Sequence, residues 1–179
     1  MSLDETARRD FLVGSLAGLS ATMVAARWPA MAATIAVGQP TVFLTAAQAA
    51  DVAAMAAQIF PTTDTPGANE ARVIYFIDLA LVSFAKDSQA VYTSGLADLQ
   101  TRAAAMGAAS FAALTSDQQI QVMTAIEKTP FFAAVRTHTI TGMFAAPQHG
   151  GNYREAGWKM IGFDDSLNFQ EPFGYYDRV

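Results

Sequence analysis

The sequence predicts an all-α domain, a compact helical unit with an irregular aromatic arm at its C-terminal end. Three observations carry that prediction. Two Thr-x-x-Gln capping boxes, Thr45 to Gln48 and Thr115 to Gln118, each stand at the head of an apolar run. The apolar residues that follow recur at helical spacing rather than alternating. Alanine is abundant in a chain that is 52% hydrophobic, and alanine favours helices that pack closely.

The elements follow in order. Residues 34–43 read as an extended linker, because Gly38 and Pro40 oppose helix. Thr45 then caps a helix over 46–60 whose Val52, Met55, Ala56 and Ile59 share one face, and Pro61 stops it. Pro61 to Ala68 is a stiff, hydroxyl-rich loop. Its two prolines fix φ, Gly67 permits an unusual turn, and Asp64 is placed to accept from loop N–H groups. A second helix is expected over 69–85, apolar on most sides, and a third over 88–106. Residues 110–114 form a short helical turn. Thr115 opens the next helix, with Ile120, Met123 and Ile126 as its buried stripe. Pro130 suits the first turn of a last helix ending at Phe144. Residues 148–179 hold five glycines and seven aromatics without a clear period. Aromatics so dense rarely stay in water, so this arm is expected to be ordered but irregular.

The N-terminal segment has a different character. Arg8-Arg9 is followed by Phe11-Leu12 and an uncharged run to Ala26, with Ala30-Met31-Ala32 beyond. A paired arginine, a short apolar run and small residues at a cleavage site read as a twin-arginine export leader spanning residues 1–32. The run falls short of the roughly 20 apolar residues of a spanning helix. Cleavage near Ala32 is expected, with retention as a weak membrane anchor as the alternative. Residues 33–179 then suit one domain with a real core.

Composition excludes several functions. The chain has a net charge of −5 and its cations are scattered, which argues against nucleic acid as a partner. It has no cysteine, so disulfides, Cys-ligated iron–sulfur clusters, c-type haem attachment and thiol catalysis are out of reach. It carries no Gly-x-Gly-x-x-Gly cradle for a dinucleotide or flavin, no phosphate loop and no Gly-x-Ser-x-Gly elbow. Two histidines, His138 and His149, are too few for a His-rich metal site. No catalytic, cofactor-binding or metal-binding residue is therefore assigned.

The residues left to weigh suit contact rather than chemistry. Asp64, Pro66 and Gly67 form either a plain connector or a rigid finger shown to a partner. Asp78 sits in an apolar helix and should be paired if buried, with Arg102 or Arg136 as the expected cation. His138, beside Arg136, reads as a satisfied structural histidine or as a ligand contact. His149, Gly150, Gly151 and Asn152 make a turn that serves tight folding or docking of another chain. Trp158, flanked by Gly157, is either an interface anchor or part of the domain's own core.

These pieces together resemble the gluconate 2-dehydrogenase subunit 3 family. The matching residues are Ile59-Phe60-Pro61, Asp64, Pro66-Gly67-Ala68 and Phe76-Ile77-Asp78. Further on come Phe131-Phe132, Arg136, His138-Thr139, Gly142-Met143-Phe144, Pro147, Gly150-Gly151-Asn152, Gly157-Trp158 and Ile161-Gly162-Phe163. The resemblance implies a non-catalytic small subunit that accompanies a large FAD-containing subunit of the glucose–methanol–choline (GMC) oxidoreductase type. The large subunit oxidises a sugar, a glycoside or a sugar acid such as gluconate. A membrane-associated cytochrome c subunit carrying haem c often takes the electrons onward. The resemblance also implies periplasmic residence, with the large subunit exported on the small one's leader. The rival expectation is a stand-alone periplasmic sugar-binding protein or small enzyme using Arg136, His138 and Asp78.

Overall fold

A computed structural model of the chain describes residues 40–165. The leader residues Arg8, Arg9, Phe11 and Leu12, the cleavage site, and residues 166–179 lie outside the described residues. Among the described residues six α-helices appear in order: α1 (Ala46–Ile59), α2 (Val73–Val82), α3 (Gln89–Ala105), α4 (Ser116–Ile126), α5 (Pro130–Phe144) and α6 (Ala156–Ile161). Four single 3-10 turns separate or precede them, and no strand occurs among the described residues.

Local chemistry sets the helix starts. Both capping boxes form: Gln48 N–H donates to Thr45 Oγ1 at 3.3 Å while Thr45 N–H donates to Gln48 Oε1 at 3.0 Å. The second box repeats this with Thr115 and Gln118 at 3.4 and 3.0 Å. Thr129 Oγ1 accepts from Phe132 N–H, and Pro130 opens α5.

Helix α2 is shorter than the sequence suggested. Residues 68–72 form a turn in which Ala71 N–H donates to Gly67 O and Val73 N–H to Ala68 O. Arg72 sits in the left-handed region at φ 54°, so the helix begins only after it. At the far end Ser83 leaves helical geometry, and its hydroxyl donates to Leu79 O at 2.6 Å. Between these limits α2 is buried nearly all round, from Val73 through Leu81. It packs on α5 and α1, and α5 in turn touches α1, α3, α4 and α6. Val52, Met55, Ile77, Leu81, Tyr92, Leu99, Phe111, Val135 and Met143 fill the core between them.

The α4 stripe differs by one position from the expected one. Ile120 is 51% exposed, and Gln119 takes the inward place. Its Nε2 donates to the carbonyls of Phe111 and Leu114, and its Oε1 accepts from Gln58 Nε2 at 2.8 Å. The 3-10 turn Phe111–Ala113 leaves carbonyls facing the core, and an amide satisfies them where isoleucine would not. Beyond Pro147 the arm is more regular than expected, with 3-10 turns at Pro147–His149 and Tyr153–Glu155 leading into α6.

Candidate partner interface

The described part of the C-terminal arm lies against α5 and α2 with Gly150, Gly151 and Gly157 inward. A Cβ on Gly157 would stand 1.9 Å from Met143 O, and one on Gly151 would stand 2.2 Å from Gly142 O. Gly150, at φ 100°, faces Leu79 and the backbone of Phe76 and Tyr75. The backbones meet without side chains between them, so the arm is seated directly on the helices. Asn152 fixes the seat. It is fully buried and left-handed, donates from Nδ2 to Ala145 O at 3.0 Å, and accepts from Gly157 N–H at 2.8 Å. Gly150, Gly151 and Asn152 are thus used in tight folding. His149 ends the turn before them, half-buried.

Trp158 is held by the domain itself. Its Nε1 donates to Phe144 O at 2.7 Å, and its ring meets Phe163 edge-on at 4.9 Å. Trp158 is half-buried, while Ile161 is 59% and Phe163 50% exposed. Apolar side chains in that state, at the end of an ordered helix, suit contact with another chain.

The Pro61 to Ala68 loop is organised from outside itself, by Glu70. Glu70 Oε2 accepts from Thr62 Oγ1 at 2.6 Å and from Gly67 N–H at 3.0 Å. The Thr62 hydroxyl, more than the backbone donors, holds the Glu70 carboxyl below its ordinary pKa. Asp64 only accepts from the neighbouring Thr63 hydroxyl and is exposed, as is Pro66. Gly67 has no positive φ; it is buried, and a Cβ there would meet the backbone of Phe60 to Thr62, so only glycine fits.

Among the described residues Asp78 has no cation beside it, contrary to expectation. Its carboxylate accepts from the N–H groups of Val42, Phe43 and Leu44 at 2.6, 3.0 and 2.9 Å. Arg102 pairs with Asp98 on its own helix at 2.8 Å, and Arg136 is exposed. Backbone donors solve the same problem a cation would solve, at less desolvation cost. His138 is 9% exposed and stacked on Tyr92, with its Nδ1 3.0 Å from the Tyr92 hydroxyl. Burial pushes the imidazole pKa down and the Tyr92 phenol up. Both groups are then neutral, and the bond runs either from the phenol O–H to Nδ1, with the ring proton on Nε2, or from Nδ1–H to the phenol oxygen.

Among the described residues no group of three or more His, Asp or Glu could hold a metal, and no helix is long and apolar enough to cross a membrane. One structural feature had no sequence signal. Arg72 and Arg154 both lie over the Tyr153 ring, with guanidinium carbons 3.4 and 5.2 Å from its centroid. The left-handed backbone at Arg72 that starts this arrangement is not encoded by any glycine or asparagine.

The described residues form a helical domain with the start of the C-terminal arm seated on α5 and α2. The family model for gluconate 2-dehydrogenase subunit 3 matches residues 46–165, and the chain belongs to that family. It is accordingly a subunit of a multi-subunit dehydrogenase complex. No match was found among curated proteins or among solved structures.

Proposed function

We propose that this chain is the non-catalytic small subunit of a periplasmic, FAD-dependent GMC-type dehydrogenase acting on a sugar, a glycoside or a sugar acid such as gluconate. It stabilises the large flavoprotein and carries it through twin-arginine export. FAD belongs to the large subunit, and a membrane-associated cytochrome c subunit with haem c receives the electrons. The observation that carries this reading is the family match across the helical domain, taken with Arg8-Arg9 ahead of it. An exporter of folded proteins suits cargo that has already closed around a cofactor, and this chain has no cofactor cradle of its own. The exposed Ile161 and Phe163 beside Trp158 give the large subunit an apolar edge to cover.

The rival use of Arg136, His138 and Asp78 as a sugar site gains no support from their positions. Asp78 is turned to the backbone of residues 42–44, His138 is closed against Tyr92, and Arg136 is exposed. The deciding experiment is co-expression with a leaderless flavoprotein large subunit. Active, FAD-loaded large subunit is expected in the periplasm with the native chain and in the cytoplasm with Arg8→Lys/Arg9→Lys. Full periplasmic activity without the small subunit would sink the reading.

A further inference from the structure

An apolar groove of about 560 Å³ lies where α1 and α2 meet the first described residues. Ala49, Ala50 and Ala53 line it from α1, Ile74 and Tyr75 from α2, and Pro40 from the entering chain. We propose that this groove seats the chain's own segment Thr34 to Gln39, with Ile35 and Val37 as its anchors. The segment lies outside the described residues, directly ahead of Pro40. It stays on the chain whether or not the leader is cut near Ala32, so the proposal does not rest on the export reading.

The helix beside the groove is unlike one left to water. α1 holds one charged residue, Asp51, and Asp51 is buried with its carboxylate accepting from Ala112 N–H at 2.9 Å. No charged side chain therefore stands on the outer side of α1, where Ala46, Ala47 and Ala50 are exposed. A surface helix ordinarily sets charged and polar groups on its outer face. Thr34-Ile35-Ala36-Val37-Gly38-Gln39 is likewise free of charge, so it enters such a groove without carrying an unpaired ion there.

Place and length decide the occupant. Pro40 lines the groove and is bonded to Gln39, so the segment begins at the groove itself. That end is fixed, because Asp78 holds the N–H groups of Val42, Phe43 and Leu44. Gln39, preceding a proline, is steered to extended backbone. In an extended segment Ile35 and Val37 point to one side. Six extended residues reach about 20 Å, and α1 rises only about 10 Å from Ala46 to Ala53. The tether gives the segment an effective concentration on the order of millimolar, which a second copy or another subunit would have to match.

The test uses the full chain, whose lack of native cysteine makes engineered pairs unambiguous. Ile35→Cys and Val37→Cys are each combined with Ala50→Cys, and with Thr101→Cys on α3 as the control. Under mild oxidation at low protein concentration, at least one groove pair should close within the chain about tenfold faster than its control. Maleimide labelling gives a second reading. Ile35→Ser/Val37→Ser should speed labelling of Ala50→Cys by about tenfold, the burial of two apolar side chains being lost. If Ala50→Cys melts early, Ala46→Cys takes its place, since Ala46 lines the same groove and is exposed. Groove and control pairs closing at equal rates, bridges forming between chains instead, or labelling unmoved by the double substitution would overturn the proposal. No flavoprotein enters this experiment, so its failure leaves the export role standing, and failed export leaves the segment's seat standing.

Discussion

The buried carboxylate of Asp78 holds Leu44 by its backbone, accepting its N–H at 2.9 Å. The same group takes the N–H groups of Val42 and Phe43, and the Thr41 hydroxyl closes on Leu44 O from the other side. The chain therefore enters the domain through a clamp on α2. Asp78→Asn removes the charge and turns an amide donor toward a backbone donor. The expected loss is about 3 kcal/mol, from charge-assisted bonds and a stranded buried group. Urea unfolding measures it. Hydrogen exchange at Val42, Phe43 and Leu44 should rise before the rest of the core opens, and unchanged protection there would refute the clamp.

The loop at Pro61 to Ala68 should depend on Glu70 and not on Asp64. Glu70→Ala strands the Thr62 hydroxyl and the Gly67 N–H, while Asp64→Ala removes one exposed contact. Limited proteolysis should cut the loop faster in the first variant alone. The lowered Glu70 pKa gives the sign with pH. The ordering is present above the ordinary value of 4.5 and is lost as pH falls through the lower folded value. Equal cleavage of both variants at neutral pH would show that the carboxylate at position 70 does not organise the loop.

Much of the fold was legible because it rests on local chemistry. The Thr45 and Thr115 boxes, Pro61 and Pro130 act within a few residues, and a sequence displays them directly. Helix α2 was overextended because nothing in Ala71-Arg72-Val73 announces a left-handed arginine; the surrounding turn imposes it. Ile120 was placed inward by periodicity, yet Gln119 won that place because carbonyls on a distant turn needed donors. A buried carboxylate points to a cation, whereas Asp78 is satisfied by backbone N–H groups from 34 to 36 positions away, which no local pattern displays. The glycines of the arm were legible as a close approach; that they approach α5 and α2 rather than another chain required coordinates.

His138 and Tyr92 make the core sensitive to mild acid. The unfolded chain takes a proton at this imidazole near the ordinary 6.5, while burial lowers the folded value. The unfolded state then binds more protons, and stability falls as pH drops from 7 toward 5. The slope from one such group is at most about 1.4 kcal/mol per pH unit. His138→Asn keeps a hydrogen-bonding partner for the Tyr92 hydroxyl without a titrating ring. It should cost about 1–2 kcal/mol at pH 7 through lost stacking and volume. Its stability should then be flatter across that window. A variant that keeps the native pH slope in chemical denaturation would place the acid sensitivity elsewhere.

Gly157 tests whether the arm must be seated for the subunit to work. Its missing Cβ lets α6 lie against the Met143 carbonyl, a backbone atom that cannot swing away, so Gly157→Ala should cost about 3 kcal/mol. Gly107→Ala is the control: its φ is +78° but nothing lies within 4 Å, so only backbone strain of about 1 kcal/mol is added. The Trp158 bond to Phe144 O reports on seating, and its emission in a Trp28→Phe background should shift to the red only in the Gly157 variant. Co-purification with the proposed flavoprotein partner should fall in parallel, because Ile161 and Phe163 are carried on the displaced segment. An unseated arm with undiminished co-purification would move the interface away from this edge.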